Sequence, residues 1–151
     1  MNTSQILEVL RADAFTRPLI QSVSAKDMLT LPIRDPCAYV VNCDNSDKPG
    51  SHWVALFIHQ RQNESNYFDS MAKPPIPECN SLLNLCSSKK YIDVPLQEMT
   101  MVCGQFCIMF LLLRARGYSF EKTIHMLSHK DNDALMYILF RNTFPSLPFH
   151  L

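Results

Sequence analysis

Apolar residues fall into blocks whose spacing changes part-way along the chain. Cys37-Ala38-Tyr39-Val40-Val41-Asn42 is rich in β-branched and aromatic residues and predicts a strand. A polar loop from Asp44 to Gly50, ending in Pro49-Gly50, separates it from a second strand over His52 to His59. Asn66-Tyr67-Phe68-Asp69 predicts a third strand, stopped by the turn-forming Lys73-Pro74-Pro75, and Tyr91-Ile92-Asp93-Val94 a short fourth. Ser4 to Arg11 reads as a short helix with Ile6, Leu7, Val9 and Leu10 as its apolar residues and Ser4 as its cap. Residues 16–36 carry Pro18, Pro32 and Pro36 and are expected to be mostly irregular. Ile76 to Cys86 reads as helical around Leu82, Leu83 and Leu85.

Beyond residue 100 the pattern becomes helical. Gly104 to Ala115 is almost wholly apolar, as in a helix buried at a domain centre. Ser119 to Ser128 starts at a serine cap and places Phe120, Ile124 and Leu127 on one face; Asp131 to Phe144 ends before Pro145. Strands followed by helices, with no repeat or linker, predict one α+β domain over residues 1–151.

Composition narrows the class. Hydrophobic residues make up 47% and charged residues 19% of the chain, as in a globular protein. Fourteen basic side chains offset fourteen acidic ones, so no global field favours nucleic acid. The N-terminus lacks the basic start and apolar run of a secretory signal, and the longest apolar run, Phe106 to Leu113, is too short to span a bilayer. A soluble intracellular protein with reduced thiols is therefore expected from its six cysteines. No Cys-x-x-Cys pair occurs, and His125 and His129, one helical turn apart, lack the glutamate of a metalloprotease motif, so no metal is expected.

Four residues in order carry the candidate chemistry: His52, Asp69, Gln97 and Cys103. A thiol at a helix start is stabilised as thiolate by unpaired N–H groups and the helix dipole. An imidazole strengthens that effect and can later protonate a leaving amine. His52 opens a strand after a loop, and Asp69 closes the neighbouring strand, where it could hold the imidazole in one tautomer. Gln97 offers a neutral donor that, with the Cys103 N–H, could hold an oxyanion. Gly104 is expected to let a substrate backbone approach. Singly, each has a structural explanation: a strand end packing on the core, a strand running into a turn, a loop glutamine, a small buried hydrophobe. The combination carries the case. Cys107 reads as core packing, and Cys37, Cys43 and Cys79 have no partnered signature.

The segments Ala38–Asn42, Gly50-Ser51-His52-Trp53-Val54-Ala55-Leu56-Phe57, Tyr67-Phe68-Asp69-Ser70 and Gln97 through Cys103-Gly104-Gln105-Phe106-Cys107-Ile108-Met109-Phe110-Leu111 resemble adenain, the adenovirus maturation protease, and its relatives in Maverick/Polinton-type elements. The wider clan includes the Ulp/SENP proteases that process SUMO. The resemblance implies an α+β fold with a mixed central sheet packed against a buried helix that starts at Cys103. It implies His52 as base, Asp69 as its orienter, Gln97 in the oxyanion hole, Cys103 as nucleophile, and Trp53 packed beside them. The implied activity is a thiol endopeptidase that cleaves after Gly-containing motifs through a thioester, matures viral capsid or core precursor proteins, and works in the host nucleus and virion. No cofactor is implied beyond the activating peptide or DNA used by adenoviral enzymes; Cys86 lies in the region where such a peptide attaches, though a structural cysteine is the better reading. Two departures point to the SUMO branch: aspartate rather than glutamate at Asp69, and a six-residue step from Gln97 to Cys103. Removal of SUMO or ubiquitin-like modifiers, and a catalytically idle binding module on the same fold, are the alternative expectations. Lys89-Lys90 and Arg114/Arg116 are small basic clusters that read as solvated faces rather than a DNA site.

Overall fold

The computed structural model describes residues 1–97 and 102–128. Helix α1 (Thr3–Ala12) precedes strands β1 (Ile20–Ala25), β2 (Cys37–Asn42), β3 (Trp53–His59) and β4 (Glu64–Phe68). The short helix α2 (Asn80–Leu83), strand β5 (Ser88–Tyr91) and helices α3 (Cys103–Ala115) and α4 (Phe120–Leu127) follow. The five strands form one sheet in chain order. β2, β3 and β4 are antiparallel neighbours, while β1 joins β2 and β5 joins β4 in parallel. The sheet is mixed, as expected.

Alternation along β2 and β3 explains why both read as nearly continuous apolar runs, because both faces of the sheet are covered. Ala38, Val40, Trp53, Ala55 and Phe57 face a core that also takes in α1, α3 and α4. Cys37, Tyr39, Val41, Val54, Leu56 and Ile58 face a second core closed by Leu82, Leu83 and Cys86. Helix α3 is buried nearly all round, and Phe110 stacks on Phe68 of β4 with ring centroids 4.5 Å apart.

Three local expectations need correction, and a fourth needs an addition. α1 is capped by Asn2, not Ser4: the Asn2 side chain and Gln5 form a reciprocal capping box, which satisfies two otherwise orphaned amides. Residues 16–36 are mostly irregular, as expected, but they also contain β1, whose Ile20 and Val23 reach the core. The fourth expected strand lies upstream, at Ser88–Tyr91, where Ser-Lys-Lys-Tyr pairs with β4 at the sheet edge. The helix expected over residues 76–86 is a 3-10 turn, Pro77–Cys79, followed by the four residues of α2. The helix expected over residues 131–144, and His129, lie outside the described residues. α4 agrees with expectation, with Ser119 accepting from the Lys122 N–H.

The basic clusters are largely consumed by pairing. Lys90 contacts Glu64 and Glu121 at 3.0 and 2.8 Å, and Arg116 contacts Asp13. Arg114 is buried, bonded to Glu64 and Asn66, with its guanidinium 4.4 Å from the Phe57 ring centroid. These side chains fasten α3 and α4 to the sheet.

Candidate active site

The site forms where the ends of β2, β3 and β4 meet the start of α3. His52 stands one residue before β3 and Asp69 one residue after β4, so antiparallel pairing of these strands brings both to the same end of the sheet. His52 Nε2 lies 2.7 Å from Asp69 Oδ1. That oxygen also accepts the Met71 N–H at 2.8 Å, which fixes the carboxylate in the turn that follows it. Asp69 is 3% exposed, so its charge is directed at the ring rather than spread into water.

The other end of the ring meets the thiol. A hydrogen bond joins His52 to Cys103, and the Trp53 backbone also bonds the sulfur. Burial alone would raise the Cys103 pKa, yet the His52 hydrogen bond, the Trp53 backbone and the imidazolium charge together bring it below the ordinary thiol value. Burial likewise pulls His52 down, and the bonds to Asp69 and Cys103 outweigh it, raising the imidazole to about 9. The remaining five cysteines move the opposite way. Burial pushes Cys37 and Cys43 up to about 11 and Cys79 to about 12, and it also raises Cys86 and Cys107. Of six thiols, Cys103 is the one stabilised as thiolate.

Gln97 is bound to Ser70, the neighbour of Asp69. The Ser70 hydroxyl donates to Gln97 Oε1, and the Ser70 carbonyl accepts the Leu96 and Gln97 N–H groups at 2.8 and 3.0 Å. Fixing the carboxamide oxygen sets the direction of its NH₂ group. Residues 98–101, which link Gln97 to the helix start, lie outside the described residues. Ser70 was visible only as the end of a Tyr-Phe-Asp-Ser string, and nothing in that string signals a bond to a residue 27 positions away. Replacing Ser70 with alanine is expected to lower kcat about 2- to 12-fold, the value of one ordinary hydrogen bond, with KM little changed. Steady-state kinetics on the purified variant checks this.

Trp53 packs beside the site, as expected, and its indole N–H donates to the Met1 carbonyl at 3.0 Å. A cleft of about 550 Å³ opens here, with Met1, Asn42, Gly50, Ser51, Trp53 and Cys103 in its lining. A Cβ at Gly104 would lie 3.4–3.5 Å from Met1 and Ile6, ordinary van der Waals contact, so the space over this residue is lined by the start of the chain and does not require a glycine. Cys107 is fully buried in the core, and Cys86 is buried as well.

Residues 22–144 match the Ulp1 protease family, C-terminal catalytic domain. The chain belongs to the Ulp1 family of cysteine proteases. A relative in Acanthamoeba polyphaga mimivirus, R355, which carries the name of a thiol protease, is 25% identical over 117 residues, 70% of this chain. The chain spans 39% of that relative's length. Among solved structures, the ASFV pS273R protease superposes with a TM-score of 0.60 at 19% identity, covering 99% of this chain and 67% of its own. The Chlamydia trachomatis effector Cdu1, solved bound to ubiquitin, gives 0.59 at 12% identity, covering 98% and 95%. The SUMO protease Ulp1, solved with its catalytic cysteine oxidised to a sulfinic acid, gives 0.54 at 14% identity, covering 98% and 79%. These likenesses establish the α+β fold of the Ulp/adenain clan for this Ulp1-family chain.

A pH profile follows from the two shifted groups. Thiolate forms as pH rises through the lowered Cys103 value, whereas the imidazolium proton needed by a leaving amine is lost as pH rises through about 9. The kcat/KM for an amide substrate is therefore expected to rise at the lower limit and fall near 9, while alkylation of Cys103 persists above it. Measuring both rates across pH separates the two limbs.

Proposed function

We propose that this chain is an endopeptidase cutting after Gly-containing motifs, with Cys103 as nucleophile, His52 as base and acid, Asp69 as orienter and Gln97 as oxyanion donor. The observation that carries this reading is the continuous hydrogen-bonded series from Asp69 through His52 to the one lowered thiol. The Cys103 thiolate adds to the scissile carbonyl carbon, and the resulting oxyanion takes hydrogen bonds from the Cys103 N–H and the Gln97 side chain. His52 gives its proton to the departing amine as the C–N bond breaks, leaving a thioester. Water then adds to the thioester as His52 takes its proton, and the acid product leaves with the thiolate–imidazolium pair restored.

Capsid and core precursors of a DNA virus are the substrates best supported, given the mimivirus relative and the likeness to the ASFV protease fold. Such an enzyme works in the host nucleus and in the virion. A buried Cys86 and paired basic clusters give little support to activation by a disulfide-linked peptide or by DNA. A second reading, removal of SUMO or ubiquitin-like modifiers, is favoured by the six-residue Gln97–Cys103 step and by the likeness to Ulp1 and Cdu1. The deciding experiment sets fluorogenic SUMO and ubiquitin C-terminal substrates against Gly-containing capsid-precursor peptides. Faster cleavage of the precursor peptides supports virion maturation; faster cleavage of a modifier substrate overturns it in favour of the second reading. Failure to cleave any of them, with all six cysteines alkylated alike, would identify a binding module on a protease fold.

A further inference from the structure

Asn42 ends β2 directly opposite Trp53, the residue that follows His52. Its side chain is committed at one end only. Oδ1 accepts the Asp44 N–H at 2.9 Å and the Ser51 N–H at 3.4 Å, tying together both ends of the loop that delivers His52. That pairing of two donors on one oxygen fixes which end of the carboxamide is oxygen and which is nitrogen. Nδ2 therefore points the other way, over Gly50, where an added Cβ would sit 2.7 Å from it. Gly50 has φ +93°, a left-handed conformation that costs other residues about 1–3 kcal/mol. The residue is 8% exposed and lines the cleft beside Trp53 and Cys103, yet Nδ2 has no hydrogen-bond partner among the described residues. Nδ2 is thus an oriented amide donor at the cleft surface, open to an acceptor that a ligand brings.

Two neighbouring cleft groups are already engaged. Ser46 is bonded through both its N–H and its hydroxyl to the Asp27 carboxylate, and the Trp53 indole N–H is taken by Met1. Gly50 presents no side chain, so a chain in the cleft can pass close to its backbone. An extended peptide in that space offers main-chain carbonyl oxygens at regular intervals, whatever its side chains.

Resting on the protease reading for the direction of the bound chain, we propose that Asn42 Nδ2 donates to a main-chain carbonyl of the substrate and so positions the peptide beside Cys103. Asn42 is then a substrate-positioning residue with two functions in one carboxamide. Its oxygen shapes the His52 loop, and its nitrogen holds the substrate backbone. This accounts for recognition of an extended segment through its backbone, the form suited to residues as small as glycine.

Asn42→Asp separates the two functions, because aspartate keeps an acceptor for the Asp44 and Ser51 amides but replaces the donor by an oxygen that repels a carbonyl. In the full chain carrying Cys103→Ala, the Kd of a fluorescein-labelled pentapeptide ending in Gly-Gly is expected to weaken about 10- to 100-fold on adding Asn42→Asp. In the chain with Cys103 intact, Asn42→Asp should raise KM for a Gly-containing amide substrate far more than it lowers kcat. It should leave Tm unchanged and the iodoacetamide labelling rate of Cys103 within about threefold of the parent, since a lost hydrogen bond to substrate touches neither. Asn42→Ala should lower Tm and slow labelling too, because the loop loses its tether. Unchanged peptide affinity in the Asn42→Asp variant overturns the proposal, as does a fall in labelling that parallels the fall in turnover, which would reduce Asn42 to a loop support. Absence of pentapeptide binding by the Cys103→Ala parent also overturns it. Turnover by the unsubstituted protein tests the protease reading separately, because binding reports on Asn42 whether or not a bond is cut.

Discussion

Replacing Cys103 with alanine is expected to reduce peptide-bond hydrolysis by about 10⁶-fold, the loss seen when a triad nucleophile is removed. Among the described residues Cys103 is the cysteine that both meets the imidazole and lines the cleft. Cys43 and Cys107 both have raised pKa values, and Cys107 is sealed in the core. The fold should survive. Cys103 contributes one small buried side chain to a core that also holds Phe68, Phe106 and Phe110, and alanine is a good helix former at its position. Kinetics together with a melting curve and a Kd for the Gly-Gly pentapeptide check this expectation. Residual cleavage above about 1% of the parent rate would sink the assignment of Cys103 as nucleophile.

The second large effect concerns Asp69. Removing its carboxylate by Asp69→Ala is expected to cost about 10⁴-fold in kcat, close to what the orienting carboxylate contributes in other triads. Three losses combine: the ring is no longer held in one tautomer, the Met71 amide loses its acceptor, and the imidazolium loses its counter-charge. Asp69→Asn should cost a similar amount, because the neutral carboxamide removes the counter-charge and its NH₂ group can hold the ring in the wrong tautomer even though the geometry is kept. Asp69 is among the groups that raise His52, so both variants should move the falling limb of the pH profile from about 9 toward the ordinary imidazole range. Thiolate formation should shift upward in pH, because Cys103 then faces imidazolium over a narrower range. A falling limb left near 9 in the alanine variant would show that Asp69 does not govern the base.

These expectations rest on residues that the sequence displayed unequally. The strands carrying His52 and Asp69 were legible because Val54 to Ile58 and Tyr67-Phe68 are dense in strand-forming residues that must be buried on two faces. Helix α3 was legible for the same reason, since almost no position in it is polar. β1 was obscured by prolines on both sides and by Ser22 and Ser24, which give it little strand character; parallel pairing with β2 decides its conformation. β5 was displaced because Lys89 and Lys90 look like loop residues, yet a sheet edge tolerates lysines well. Ser70 and Asn42 illustrate a further limit. Both act through hydrogen bonds to residues distant in sequence or to a loop of unusual geometry, and neither relation leaves a spacing pattern. Gly104 shows the converse: a glycine beside the thiol suggested a close backbone approach, yet the atoms over it, from Met1 and Ile6, would leave ordinary room for a Cβ.

The opposed shifts of the six thiols also make the protein its own folding reporter. In the native state one cysteine is activated and five are suppressed, so a limiting dose of alkylating reagent writes a single mark at Cys103. Once the chain unfolds, neither His52 nor burial distinguishes the six, and the mark spreads evenly among them. The ratio of label at Cys103 to label elsewhere therefore rises with the native fraction, without an attached dye or a substrate, and it can be followed by mass spectrometry in a crude mixture.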